Sequence, residues 1–138
     1  MPVPVTSATT PHTSTRTYPG TADQARAVRA DLRPLLRDCA ACDDIVLCAS
    51  ELAANAATHS RSGQPGGTFT VRADIRPGDR VLIEVRDEGG PWPTPVPDPD
   101  RPHGLDIIRA LAVRWGISGI SGTSDGRVAW AHFTWTAL

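Results

Sequence analysis

Six of the twelve residues from Pro91 to Pro102 are proline. Proline fixes its own φ and lacks a backbone N–H, so neither a helix interior nor a central strand runs through such a stretch. The segment reads as an extended, stiff loop, and it divides the regular structure into a block before it and a block after it. At 138 residues the chain has the length of one domain and buries an ordinary core without staples. Residues 1–15 are rich in Thr, Ser and Pro and read as a disordered tail ahead of a domain over residues 16–138.

In the first block, Arg16-Thr17-Tyr18 suggests a short edge strand stopped by Pro19-Gly20. Thr21 suits the N-cap of a helix over 22–38, with Ala25, Val28, Leu32 and Leu35 at helical spacing. Pro34 conflicts with that pattern and predicts a kink or a detached last turn. A second helix starts near Asp43 or Asp44, whose charges suit the positive helix end, and Ile45, Cys48, Leu52 and Ala56 form its apolar face. The loop from Ser62 to Gly67 precedes a hairpin of two β-rich runs, 68–75 and 81–86, with Val81, Ile83 and Val85 on one face. After the prolines come a helix over 104–113, a strand at 114–118, a turn to Gly126 and a last strand over 128–136. The order β-α-α-β-β-loop-α-β-β predicts an α+β, two-layer sandwich: a mixed, mostly antiparallel sheet with helices on one face.

The second helix carries the chemistry. Residues four apart share a helix face, so Glu51, Asn55 and His59 form one polar stripe on an otherwise apolar helix. An amide oxygen suits a hard cation such as Mg²⁺, and a carboxylate one turn earlier can polarise a hydroxyl or a water. Asp87 ends a strand just before Gly89 and Gly90, where absent side chains let a ring approach the backbone. Gly104 opens a helix whose free N–H groups and dipole form a seat for phosphate, with His103 and Leu105 beside it. Against these stand plainer readings: a solvated helix face for Glu51 and Asn55, an Asp-x-Gly turn for Asp87, a decorated helix end for His59.

Other classes are excluded more simply. A formal charge of −1 gives no general field for nucleic acid. Cys39 and Cys42 form a C-x-x-C, but no second cysteine pair follows to complete a zinc site. Three cysteines without a secretory leader suggest reduced thiols and a cytoplasmic location. No run of about 20 apolar residues marks a membrane helix. There is neither a G-x-x-x-x-G-K-[ST] loop nor a kinase-type glycine loop with a paired lysine, so a nucleotide site here is of another kind.

Over residues 16–136 the chain resembles the GHKL (Bergerat-fold) ATP-binding domains. Within them it is similar to the anti-sigma-factor serine/threonine kinases and their single-domain actinobacterial relatives. Glu51-Leu-Ala-Ala-Asn55-Ala-Ala-Thr-His59 matches the N box, Asp87-Glu-Gly89-Gly90 the first glycine box, and His103-Gly104-Leu105 the second, trailed by Trp115-Gly116. The resemblance implies ATP and Mg²⁺ as cofactors. It implies Asn55 on the metal, Glu51 as general base, Asp87 on adenine with Gly89 and Gly90 beside it, and His103, Gly104 and Leu105 at the phosphates. The loop from Pro91 to Pro102 becomes the ATP lid. Implied partners are a sigma factor or an anti-sigma-factor antagonist, without direct nucleic-acid or membrane contact, and a homodimer is compatible. Two positions depart from the pattern: Pro102 replaces the first glycine of the second box, and Val128 stands where many relatives carry a threonine near adenine. These departures suit a second reading, a protein-interaction module of the same fold with weak or no catalysis.

Overall fold

The computed structural model describes residues 11–37, 39–76, 78–89, 104–119 and 126–134. Within them, five strands form one sheet in the order β1-β2-β3-β5-β4: β1 His12–Pro19, β2 Thr68–Arg76, β3 Arg80–Asp87, β4 Arg114–Gly119 and β5 Arg127–Thr134. All four pairings are antiparallel, so the mixed character expected of the sheet is absent among the described residues. Three helices, α1 Gln24–Leu35, α2 Cys42–His59 and α3 Gly104–Leu111, complete an α+β fold.

Alternation in the hairpin does what period two requires. Phe69, Val71, Ala73 and Ile75 of β2 are buried, as are Val81, Ile83 and Val85 of β3, and Ala129, Ala131 and Phe133 of β5. These side chains form the inner face, beneath the helices. The intervening residues face outward and are at most half-buried. Ile45, Cys48, Leu52 and Ala56 of α2 are all buried, as their spacing demanded, and α2 packs against α1, α3, β2, β3 and β5. It is the central helix, and it fixes the site.

Three boundaries differ from expectation for local reasons. β1 begins at His12 rather than Arg16, because residues 12–19 pair with β2 along their whole length. α1 begins at Gln24 with Asp23 as N-cap, not Thr21, and neither cap residue of α1 or α2 makes a side-chain cap bond. Pro34 lies in the last turn of α1; the helix ends one residue later, and Leu36 N–H closes onto the carbonyls of Leu32 and Arg33. The helix stops where its ladder fails rather than kinking.

β1 is tied to α1 by a buried aromatic. Tyr18 is 5% exposed, its ring stacked on Phe69 at 5.5 Å, and its hydroxyl donates to Asp31 Oδ2 at 2.7 Å. Arg16 reaches the same oxygen at 2.8 Å. The guanidinium and the phenol hold the Asp31 carboxyl below its usual range, while burial and the Asp31 charge push the Tyr18 hydroxyl up.

Candidate functional site

Glu51 and Asn55 lie one turn apart on a flank of α2, both half-buried, beside the sealed row of Leu52 and Ala56. Cys48 sits one turn before Glu51. Burial pushes its thiol up to about 12, and the carboxylates of Asp44 and Glu51 push the same way. Cys39 is buried and Cys42 half-buried, its thiol likewise raised by burial and by Asp43. A raised thiol is a poor nucleophile and a poor metal ligand. Among the described residues no group of three or more His, Cys, Asp and Glu side chains is placed to hold a metal on its own.

Asp87 is the last residue of β3, on the inner face, and only 3% exposed. Its Oδ1 accepts the Gly89 N–H at 2.7 Å, closing an Asp-x-Gly turn. Gly89 has φ +75°, in the left-handed region where glycine is at ease. The Asp-x-Gly turn expected at Asp87 is therefore present: one carboxylate oxygen shapes the loop.

The loop after α2 grips this turn from both ends. Ser60 Oγ donates to Ala56 O at 2.6 Å and accepts the Ser62 N–H at 3.0 Å. Ser62 is fully buried, and its Oγ accepts the Glu88 N–H at 2.9 Å. Arg61 N–H donates to Gly89 O at 2.8 Å. The chain of bonds runs from the end of α2 to the Asp87–Gly89 turn, and so ties the end of the helix bearing Glu51 and Asn55 to the turn bearing Asp87. Two glycines permit the crossing. A Cβ on Gly20 or Gly67 would fall 1.6 or 2.2 Å from the Ser62 carbonyl oxygen. Beside the turn opens a cleft of about 550 Å³ lined by Arg61, Gln64, Asp87, Glu88 and Gly126 among others.

The remaining expected residues divide. Gly104 begins α3 as anticipated, and Leu105 is half-buried against the core one turn before fully buried Ile108. His59 is the last residue of α2. Gly90, the prolines from Pro91 to Pro102, and His103 lie outside the described residues.

Val128 requires a correction. It pairs with Arg86 on the outer face and borders a groove there with Trp130 and His132, away from Asp87. The residue in register with Asp87 is Arg127. Ser62 and Arg127 escaped the sequence reading. Both owe their place to pairing with distant residues, and the only local signal was the strand alternation that puts odd-numbered residues of β5 on the inner face.

The fold and site together define a two-layer domain whose central helix carries a half-buried carboxylate and amide and is tied at its end to a buried Asp-x-Gly turn. The histidine kinase-like ATPase domain family matches residues 18–123, more than half of the chain, and the chain belongs to that family. No curated protein matches it. The residues present fit the ATP that family membership implies. A buried carboxylate is pre-oriented by its own turn, and the α2 flank offers oxygen donors suited to Mg²⁺. Among the described residues no helix is long and apolar enough to cross a membrane.

Proposed function

We propose that the chain is an ATP- and Mg²⁺-dependent serine/threonine protein kinase of the anti-sigma-factor type, regulating transcription through protein partners. The observation that supports this reading is the bonded link from the end of α2, the helix of Glu51 and Asn55, through Ser60 and Ser62 to the Asp87–Gly89 turn. Bound Mg-ATP supplies the phosphoryl group and the cation that offsets its charge.

The chain's own residues do the rest. Asp87 accepts a hydrogen bond from the exocyclic amine of adenine, its carboxylate already set by Gly89 N–H. Asn55 would offer its side-chain oxygen to the metal. Glu51 would take the proton of the target serine or threonine hydroxyl, the bound nucleotide supplying the phosphoryl group to that oxygen and leaving as ADP. Gly104 begins α3, whose positive end faces negative charge favourably. The partners in this proposal are an anti-sigma-factor antagonist that carries the target hydroxyl, a sigma factor, or both.

Calorimetry with Mg-ATP, followed by transfer from labelled ATP to candidate antagonist proteins, tests it. Binding in the micromolar range, with transfer abolished in Glu51→Ala, is the expected result. Absence of ATP binding at millimolar concentration overturns it. Binding with transfer unaffected by Glu51→Ala removes Glu51 from its role, and binding with no transfer leaves a protein-interaction module.

A further inference from the structure

The helix-free face of the sheet is positively charged in a chain whose formal charge is −1. Strand pairing fixes which side chains share that face. Arg72 stands beside Glu84, Asp74 beside Leu82, Arg76 beside Arg80, and Arg86 beside Val128; Arg114 of β4 pairs with His132 of β5. Five arginines thus accompany two carboxylates, a net of +3 on this face.

Few of those charges are answered within the fold. Arg72 meets Glu84 at 3.5 Å, and Arg80 meets Asp79 only at 3.9 Å. Among the described residues Arg76, Arg86 and Arg114 form no ion pair. Arg76 and Arg80 are direct cross-strand partners, and like charges opposite one another destabilise a sheet.

Between the arginines lies an open groove of about 680 Å³ whose apolar parts are Leu82, Val128 and Trp130. The Trp130 indole lies across Gly116, where a Cβ would come within 2.8 Å of the ring. The indole therefore rests flat on the sheet surface, an apolar platform among arginine forks.

We infer that this face docks a carboxylate-rich segment of a partner protein. Arginine's planar fork takes carboxylates in pairs, and a flat indole between forks accepts an apolar side chain of the same segment. Asp74 and Glu84 within the patch repel a uniformly charged phosphate backbone but tolerate a protein segment of mixed character. A second copy of this chain is disfavoured, since it would bring +3 against +3. The face lies opposite Glu51, Asn55 and Asp87, so docking leaves the α2 side open, and the inference stands independently of the proposed kinase activity.

The test is an NMR titration of the ¹⁵N-labelled chain with a twelve-residue peptide of glutamates interleaved with leucine, and with its glutamine counterpart. The glutamate peptide is expected to shift the amides of Arg76, Arg80 and Arg114 and the Trp130 indole N–H. The glutamine peptide, and the double variant Arg76→Glu/Arg114→Glu, should bind at least about tenfold more weakly. Should that variant unfold, Arg76→Gln/Arg114→Gln serves in its place. Shifts confined to α2, equal binding of the glutamine peptide, tighter binding of a DNA duplex, or sedimentation as a dimer through this face each overturn the inference.

Discussion

The hydroxyl of Ser62 accepts the backbone N–H of Glu88 across 2.9 Å, joining the loop after α2 to the turn after β3. Ser62 is fully buried, so no water replaces that acceptor if it is lost. Ser62→Ala should destabilise the fold by about 1–3 kcal/mol, the cost of an unsatisfied buried donor. ATP affinity should fall further than stability alone requires, because the Asp87 turn loses one of its two anchors. Urea unfolding and Mg-ATP calorimetry on the same variant separate the effects. ATP affinity unchanged in a folded Ser62→Ala would show that the anchor does not serve the site.

Gly20, just after β1, and Gly67, just before β2, flank the Ser62 carbonyl. Neither closeness is relieved by a rotamer, since the neighbour is backbone. Gly67→Ala should cost at least the about 1–3 kcal/mol of an overpacked core, and Gly20→Ala more, or prevent folding. Gly66→Ala is the control: it has open space around it but φ +79°, so only local backbone strain applies. Thermal melts ranking Gly20→Ala and Gly67→Ala as milder than Gly66→Ala would contradict the crossing described.

Much of this architecture was legible because it rests on local periodicity. Val81, Ile83 and Val85 alternate, and Ile45, Cys48, Leu52 and Ala56 recur at helical steps; each set is buried as its spacing demands. The family followed from three ordered motifs, and the matched domain covers residues 18–123. What stayed hidden depends on partners far along the chain. Nothing in His12-Thr-Ser-Thr15 alternates in hydropathy; those residues are a strand because β2 supplies the backbone bonds. Ser62 looked like one residue of a Gly-rich loop, and its role arises from Gly20, Gly67 and Glu88. The family pattern implies a threonine near adenine at Val128, yet strand register puts Val128 on the sheet face opposite Asp87, since one residue of offset exchanges the two sides of a sheet.

Asp87→Asn isolates recognition from folding. The asparagine side-chain oxygen still accepts the Gly89 N–H, so the turn should persist. The other carboxylate oxygen becomes an NH₂ donor, which under the proposed function would meet the adenine amine as donor against donor. ATP affinity should fall at least about tenfold, equivalent to about 1.4 kcal/mol, with the fold intact. Calorimetry with Mg-ATP measures it. Undiminished binding would mean that Asp87 serves only the turn.

The Arg16–Asp31–Tyr18 cluster sets a pH dependence distinct from that of the site. Asp31 carries a lowered pKa, chiefly through its bond to Arg16 and then its bond to Tyr18. A carboxyl depressed in the folded state contributes stability that is fully present above its unfolded value, near about 4, and is lost as pH falls through the folded value. Tyr18 has the opposite sense: burial first, then the bond to Asp31, raises it, so the neutral phenol stabilises the fold below its unfolded value near about 10 and that contribution fades at higher pH. Asp31→Asn should therefore lower the melting temperature at pH 7, and the gap from the unmodified chain should close as pH drops below about 4. Tyr18→Phe keeps the ring stacked on Phe69 and removes one hydrogen bond, worth about 1 kcal/mol. Melting curves from pH 3 to pH 7 for both variants are the measurement. A gap for Asp31→Asn that stays constant across that range would show that the carboxylate's charge contributes nothing to holding β1 against α1.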